Sequence, residues 1–271
     1  MAPAGHGGIT GITFDSDGHR LVGVAYLARG HHPKPAALLL HGCPGLEQNL
    51  DVAAMLRDRG WNAVVFHYRG CWGSAGRYDL RTIGRDVRAA VDHLQAGAYP
   101  GVDPDRIVVI GHSLGGWAAI LAAASDQRLR AVAACGAPAG LGGIDLPPDG
   151  LEREFTRFLA TTPAEFLSQR DEVGTWPGPL DVIASISPRP LLVIHGSNDE
   201  WVGADQGRML YERAKQPRRY AEIEGANHAF AWHRTLLIEE ITGWLAEIDG
   251  LAPAGAGGCG PDETDALGGA P

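Results

Sequence analysis

The stretch that most constrains this chain is residues 106–118, Arg-Ile-Val-Val-Ile-Gly-His-Ser-Leu-Gly-Gly-Trp-Ala. Ile107 to Ile110 is a short β-branched run, the composition of a strand buried on both faces. Gly111-His112-Ser113-Leu114-Gly115 follows and fits G-x-S-x-G. Trp117 to Ala124 then reads as a helix that is apolar on nearly every side. A strand, a one-residue turn and a buried helix force Ser113 into a strained conformation at the top of a sheet. Glycines flank it because a Cβ at 111 or 115 would clash where strand and helix meet. The motif therefore occurs together with the strand–turn–helix context of a nucleophile elbow.

Strand and helix patterns alternate on both sides of this stretch. Ile9–Phe14 and Arg20–Leu27 read as an antiparallel hairpin around Asp15-Ser16-Asp17-Gly18. A buried strand over 35–40 ends at His41-Gly42-Cys43-Pro44-Gly45, and a helix over about 50–59 leads to a strand over 62–66. Leu80, Ile83, Val87, Val91 and Leu94 share one face of a further helix. Residues 100–105 read as a connector into the elbow strand, and Leu129–Ala134 as the strand beyond the elbow helix. A strand over 190–194, a helix over 204–214, a strand over 219–223 and a final helix complete the pattern. The expectation is an α/β fold with a mostly parallel sheet covered on both sides, occupying residues 1–249.

Residues of about 139–188 interrupt the alternation and read as a small helical cap over the sheet's C-terminal edge. A pair of surface helices with no part in substrate choice is the competing reading. From residue 250 to 271 the composition collapses to Gly, Ala and Pro, as in a disordered tail. Truncation after Leu251 is accordingly expected to leave the melting temperature unchanged.

A serine hydroxyl is a poor nucleophile without an adjacent base, itself held by a third group. On such a sheet the partners follow in the order serine, acid, histidine, each in a loop after a later strand. Asp199, in Gly196-Ser197-Asn198-Asp199, follows the strand over 190–194, and His228, in Gly225-Ala226-Asn227-His228, follows the strand over 219–223. Glu200 competes as the acid. His195 and His233 are set aside because one ends a strand and the other opens a helix. His112 adjoins the serine in sequence, but the elbow aims its side chain elsewhere, into packing or the pocket. Acyl chemistry also needs donors for an oxyanion. These are assigned to the backbone N–H of Leu114, at the helix N-terminus, and of Cys43, since Pro44 cannot donate. Trp72, Phe155, Phe158 and Trp201 are the expected pocket walls.

With these residues in place, the chain resembles the α/β-hydrolase fold superfamily over nearly everything from residue 9 to 248. The resemblance rests on His41-Gly42-x-Pro44, Tyr68-Arg69-Gly70, Gly111-His112-Ser113-Leu114-Gly115-Gly116, Gly196-x-x-Asp199-x-x-Val202 and Gly225-x-x-His228. The Tyr-Arg-Gly stretch and the short insertion look most like the dienelactone-hydrolase and prolyl-oligopeptidase-like branch, although dienelactone hydrolases proper use a cysteine nucleophile. The resemblance implies Ser113 as nucleophile, His228 as base, Asp199 as its orienter and the Cys43 and Leu114 amides as oxyanion hole.

Composition bounds what such a site can serve. A net charge of −9 with no basic cluster argues against nucleic acid or an anionic membrane as the main partner. No apolar run approaches the roughly 18 residues of a membrane span. The N-terminal residues lack the pattern of a signal peptide. Cys43, Cys71, Cys135 and Cys259 show no metal-type spacing. The expectation is a cytoplasmic serine hydrolase without metal or cofactor, cleaving a small carboxylic ester through an acyl-enzyme. An aminopeptidase or amidase on the same residues is the alternative, with Glu152, Glu154, Glu165 and Asp171 as candidate amine ligands. An acyltransferase is a further alternative. A binding protein that performs no chemistry fits less well, because all three catalytic residue types are present.

Overall fold

Alternating strands and helices run through the residues that the computed structural model describes: 7–46, 48–97, 99, 101–142 and 148–249. The strands are β1 (Gly8–Ser16), β2 (His19–Leu27), β3 (Lys34–Leu40), β4 (Asn62–Phe66), β5 (Val102–His112), β6 (Leu129–Cys135), β7 (Leu191–Gly196) and β8 (Arg218–Ile223). The helices are α1 (Leu50–Asp58), α2 (Ile83–Gln95), α3 (Leu114–Ser125), α4 (Pro148–Glu154), α5 (Pro163–Val173), α6 (Pro179–Val182), α7 (Ala204–Arg213) and α8 (Arg234–Asp249). The tail read from the composition of 250–271 lies outside the described residues.

All eight strands join one sheet in the order β1-β2-β4-β3-β5-β6-β7-β8. β1 and β2 form the expected hairpin, with Asp17 and Gly18 both at positive φ in its two-residue turn. β2 also runs antiparallel to β4, and every later pairing is parallel. Successive side chains of the central strands enter opposite cores. Leu38, Val64, Val109 and Val132 pack beneath α2 and α3, while Leu39, Val65, Ile110 and Ala133 pack beneath α1 and α8. Two-sided burial explains why these strands read as unbroken apolar runs. The sheet is thus the mostly parallel, doubly covered α/β sheet that the sequence pattern predicts.

One boundary differs. β5 begins at Val102, inside the segment read as a connector, because Lys34 pairs with Val102 across a register shift before Ala36. Asp103, Pro104 and Asp105 are partly exposed there, so no apolar pattern marks the strand's start.

The elbow depends on close backbone approach. A Cβ on Gly111 would lie 2.0 Å from the Gly115 carbonyl oxygen, and one on Gly115 would lie 2.1 Å from that of Leu40. The insertion is helical, built from α4, α5, α6 and the 3₁₀ turns Thr156–Phe158 and Ile183–Ile186. A capping box between Thr162 and Glu165, with proline at N1, starts α5. Gln169 of α5 accepts from the Leu80 N–H and donates to the Tyr78 carbonyl, tying the insertion to the loop before α2.

That loop is anchored from below by a buried ion pair. Arg69 Nη2 lies 2.6 Å from Asp86 Oδ1, and the Arg69 N–H donates to Asp86 Oδ2 at 2.9 Å. Ser16 Oγ also donates to Asp86, so the carboxylate joins β1, α2 and the loop after β4. Removing one partner of a buried pair leaves an uncompensated charge, at a cost of about 3–5 kcal/mol. Asp86→Ala is expected to lose stability of that order in a urea denaturation series. A midpoint equal to that of the wild type would show that the pair contributes nothing.

Candidate active site

Ser113 caps the junction of β5 and α3 at φ 55°, ψ −123°, with its N–H held by the Cys135 carbonyl at 2.8 Å. A strained backbone position of this kind persists only where its surroundings determine it. His228 Nε2 lies 2.9 Å from Ser113 Oγ, and His228 Nδ1 lies 2.7 Å from Asp199 Oδ2. The Asp199 side chain is fully buried and also accepts the N–H groups of Trp201 and Val202 at 3.0 and 2.8 Å. Burial alone would raise its pKa, but hydrogen bonds from His195 and His228 outweigh burial and hold it well below the usual carboxylate range. An ionised carboxylate only accepts, so His228 carries its proton on Nδ1 and turns the Nε2 lone pair toward the serine hydroxyl.

The sequence profile of the Alpha/beta hydrolase family matches residues 37–240, which span β3 to α8 and contain every residue of this hydrogen-bonded chain. The chain belongs to that family. Rv2307c of Mycobacterium tuberculosis (strain ATCC 25618 / H37Rv) is 30% identical over 217 residues, covering 78% of this chain and 69% of that protein. YfhR of Escherichia coli (strain K12) is 26% identical over 193 residues, which is 71% of this chain and 62% of that protein. Among solved structures, Est1E from Butyrivibrio proteoclasticus with ferulic acid bound superposes with a TM-score of 0.71. It is 21% identical, and the match covers 87% of this chain and 98% of that one. At that identity the likeness is one of fold.

The other sequence candidates separate on geometry. Glu200 does not face the imidazole of His228; its carboxylate accepts the His228 backbone N–H at 3.1 Å. His233 precedes α8 and accepts the Leu237 N–H through its carbonyl. His195 is fully buried behind the acid, with Nε2 at 2.8 Å from the Val202 carbonyl and 3.4 Å from Asp199 Oδ2. His112 Nε2 lies 2.8 Å from the His228 carbonyl oxygen. The sequence reading placed His112 in packing or the pocket, and it does line the cavity above Ser113. Neither its contact with the His228 main chain nor those of Glu200 and His195 was anticipated, their nearness in sequence to Ser113 and Asp199 being the only available signal. Among the described residues, neither the Cys43 nor the Leu114 N–H has a backbone acceptor, and a Cβ on Gly42 would sit 2.9 Å from that of Ser113. The surrounding protein pushes the Cys43 thiol up to about 12, which keeps it protonated.

A cavity of about 250 Å³ opens above Ser113, walled by Leu46, Leu80, Leu141, Phe155, Phe166, Trp201 and Val202. The insertion therefore faces the site through Phe155 and Phe166. Phe155 meets Trp201 edge to face at 5.5 Å. Trp72 and Phe158, also expected as pocket walls, are not among its lining residues. They stack on each other at 5.6 Å, and the Trp72 indole N–H is committed to the Pro44 carbonyl at 2.7 Å. Three of the four insertion carboxylates proposed as amine ligands are engaged with arginines: Glu154 with Arg153, Glu165 with Arg77 and Asp171 with Arg170. Among the described residues, no group of three or more His, Cys, Asp or Glu could hold a metal ion, and no helix is long and apolar enough to cross a membrane.

Burial lowers His112 to about 3 and His41 to about 4, the carbonyl partner of each offsetting only part of the desolvation. An unfolded histidine titrates near 6.5. Between these values the unfolded chain binds more protons than the folded one, so stability is complete above about pH 6.5 and declines as the pH falls. The urea midpoint is expected to drop from pH 6.5 to 5, above the range where most carboxylates titrate, and His41→Asn should flatten that slope. A midpoint independent of pH over this window would contradict it.

Proposed function

We propose that the protein is a serine hydrolase that cleaves a small carboxylic ester through an acyl-enzyme. The observation that carries this reading is the continuous hydrogen-bonded chain Asp199–His228–Ser113 at the foot of an apolar cavity. In the first half-reaction Ser113 Oγ bonds to the ester carbonyl carbon while His228 Nε2 takes the hydroxyl proton. The oxyanion is met by the N–H groups of Cys43 and Leu114, the latter at the N-terminus of α3, where the helix dipole favours negative charge. His228 then returns the proton to the leaving alcohol as the tetrahedral centre collapses. Water repeats the sequence on the acyl-enzyme and frees the acid. Asp199 keeps the imidazole in the required tautomer and stabilises it while it is charged.

Within the family, the buried Tyr68-Arg69-Gly70 stretch and the short insertion support the dienelactone-hydrolase and prolyl-oligopeptidase-like branch. The ferulic acid in the Est1E structure supports a carboxylic acyl group as the part bound. An aminopeptidase would need a free acidic cluster for a substrate amine, and the arginine partners of Glu154, Glu165 and Asp171 count against it. The free thiols of Cys43, Cys71 and Cys135 support a reducing, cytoplasmic setting.

Labelling with a fluorophosphonate probe, followed by turnover of aryl esters of graded acyl length, tests the reading. Ser113→Ala should abolish labelling and lower turnover by several powers of ten in a folded protein. Apolar walls discriminate by only about 1–3 kcal/mol per methylene, so a broad acyl preference is expected, and Phe155→Ala should shift its optimum while sparing acetyl esters. Labelling at a different serine, or inert esters beside a cleaved aminoacyl amide, would overturn the assignment.

A further inference from the structure

The base has to be carried a long way. Ser113 follows β5, whereas His228 follows β8, and β6 and β7 lie between those strands. Three strand spacings of about 4.8 Å put the end of β8 roughly 14 Å from the elbow. The loop after β8 must therefore lean back across the sheet edge, and something must hold it there. Its early residues are fastened to the neighbouring acid loop: the Gly225 N–H donates to Ser197 Oγ at 2.8 Å, and the Asn198 N–H donates to the Ala226 carbonyl at 3.0 Å. Neither bond reaches the residue that carries the base.

Two side chains do, and both grip its main chain. His112, the residue before the nucleophile, sets its Nε2–H 2.8 Å from the His228 carbonyl oxygen. Glu200, the residue after the acid, accepts the His228 backbone N–H at 3.1 Å. The Nε2 of His112 faces a carbonyl, which only accepts, so this nitrogen carries the ring's proton. The His112 and His228 rings lie 5.0 Å apart between centroids, so the donor comes from the same strand end as Ser113 and sits under the base. We infer that His112 and Glu200 are positioning residues that clamp the backbone of His228 from its two ends, one from the nucleophile elbow and one from the acid loop. The pair binds the three loops of the site to one another through the base's own main chain. The inference rests on the proposed role of His228.

The rate of Ser113 labelling by a small fluorophosphonate tests it without knowledge of the natural ester, since that reaction needs His228 as base. A glutamine at 112 retains a donor near the Nε2 position, whereas leucine fills similar space and donates nothing. A misplacement of about 1 Å can cost up to roughly 10²-fold, so His112→Leu should slow labelling about 10- to 100-fold. His112→Gln should restore it to within about threefold of the wild type on the same scale. With an aryl acetate as substrate, the loss in His112→Leu should fall on kcat with KM unchanged, which a general loss of packing would not produce. The far-downfield proton signal of the His228–Asp199 hydrogen bond should broaden in the leucine variant and return in the glutamine one. A folded His112→Leu protein labelled at the wild-type rate overturns the inference. If that variant does not fold, Glu200→Ala decides: slower labelling, rescued by Glu200→Gln, supports the clamp, and a wild-type rate overturns it. A wild-type protein that takes no label at all overturns the hydrolase reading instead, and the downfield proton signal of the variants then decides the clamp by itself.

Discussion

Everything in the site is referred to the approach of three backbone segments at Ser113. β3, β5 and α3 meet so closely that a Cβ on Gly111, Gly115 or Gly42 would lie within 3 Å of its neighbours. The serine takes a positive φ there because the chain must turn from strand to helix within one residue. That turn leaves the hydroxyl at the sheet edge and the first amide of α3 beside it. It also leaves a site open toward the C-terminal ends of the parallel strands, where the loops that carry Cys43, Asp199 and His228 emerge.

Around that junction the protein uses buried histidines to bind backbone carbonyls. His41 has its Nδ1 2.7 Å from the Gly42 carbonyl, whose peptide unit also contains the Cys43 N–H. His195 and His112 face the carbonyls of Val202 and His228. Each imidazole is buried, and for His41 and His195 the second ring nitrogen has no partner among the described residues. For His41, which burial keeps neutral, an unpaired acceptor nitrogen costs far less than a buried charge would. Each thereby fixes a loop at a single peptide group.

The insertion illustrates how composition and placement diverge. Phe155 and Phe158 lie three residues apart and are both partly exposed, yet Phe155 lines the cavity with Phe166 while Phe158 stacks on Trp72 outside its lining. The indole N–H of Trp72 accounts for part of this, since it needs an acceptor and finds one in Pro44. Charges in the insertion follow the same logic. Arginines pair with Glu154, Glu165 and Asp171, and the cavity keeps a largely apolar wall.

Local patterns in the sequence determined the fold and the chain order of the site. Buried parallel strands require apolar runs on both faces, and a bend as tight as that at Ser113 requires glycine on both sides, so each leaves a mark that one sequence carries openly. The positions of Asp199 and His228 after successive strands were legible for the same reason. Tertiary structure alone decided which second groups support them. The first four residues of β5, 102–105, went unread because Asp103, Pro104 and Asp105 are at least partly exposed at a register shift, where no periodicity survives. The grip of His112 on a carbonyl 116 residues away could not be read, because it depends on how far the loop after β8 leans across β6 and β7. Glu200 and Asp199 are adjacent carboxylates in sequence, and only the direction of the loop backbone gives one the imidazole of His228 and the other its amide. Such choices are made by packing, which acts between segments that the sequence keeps far apart.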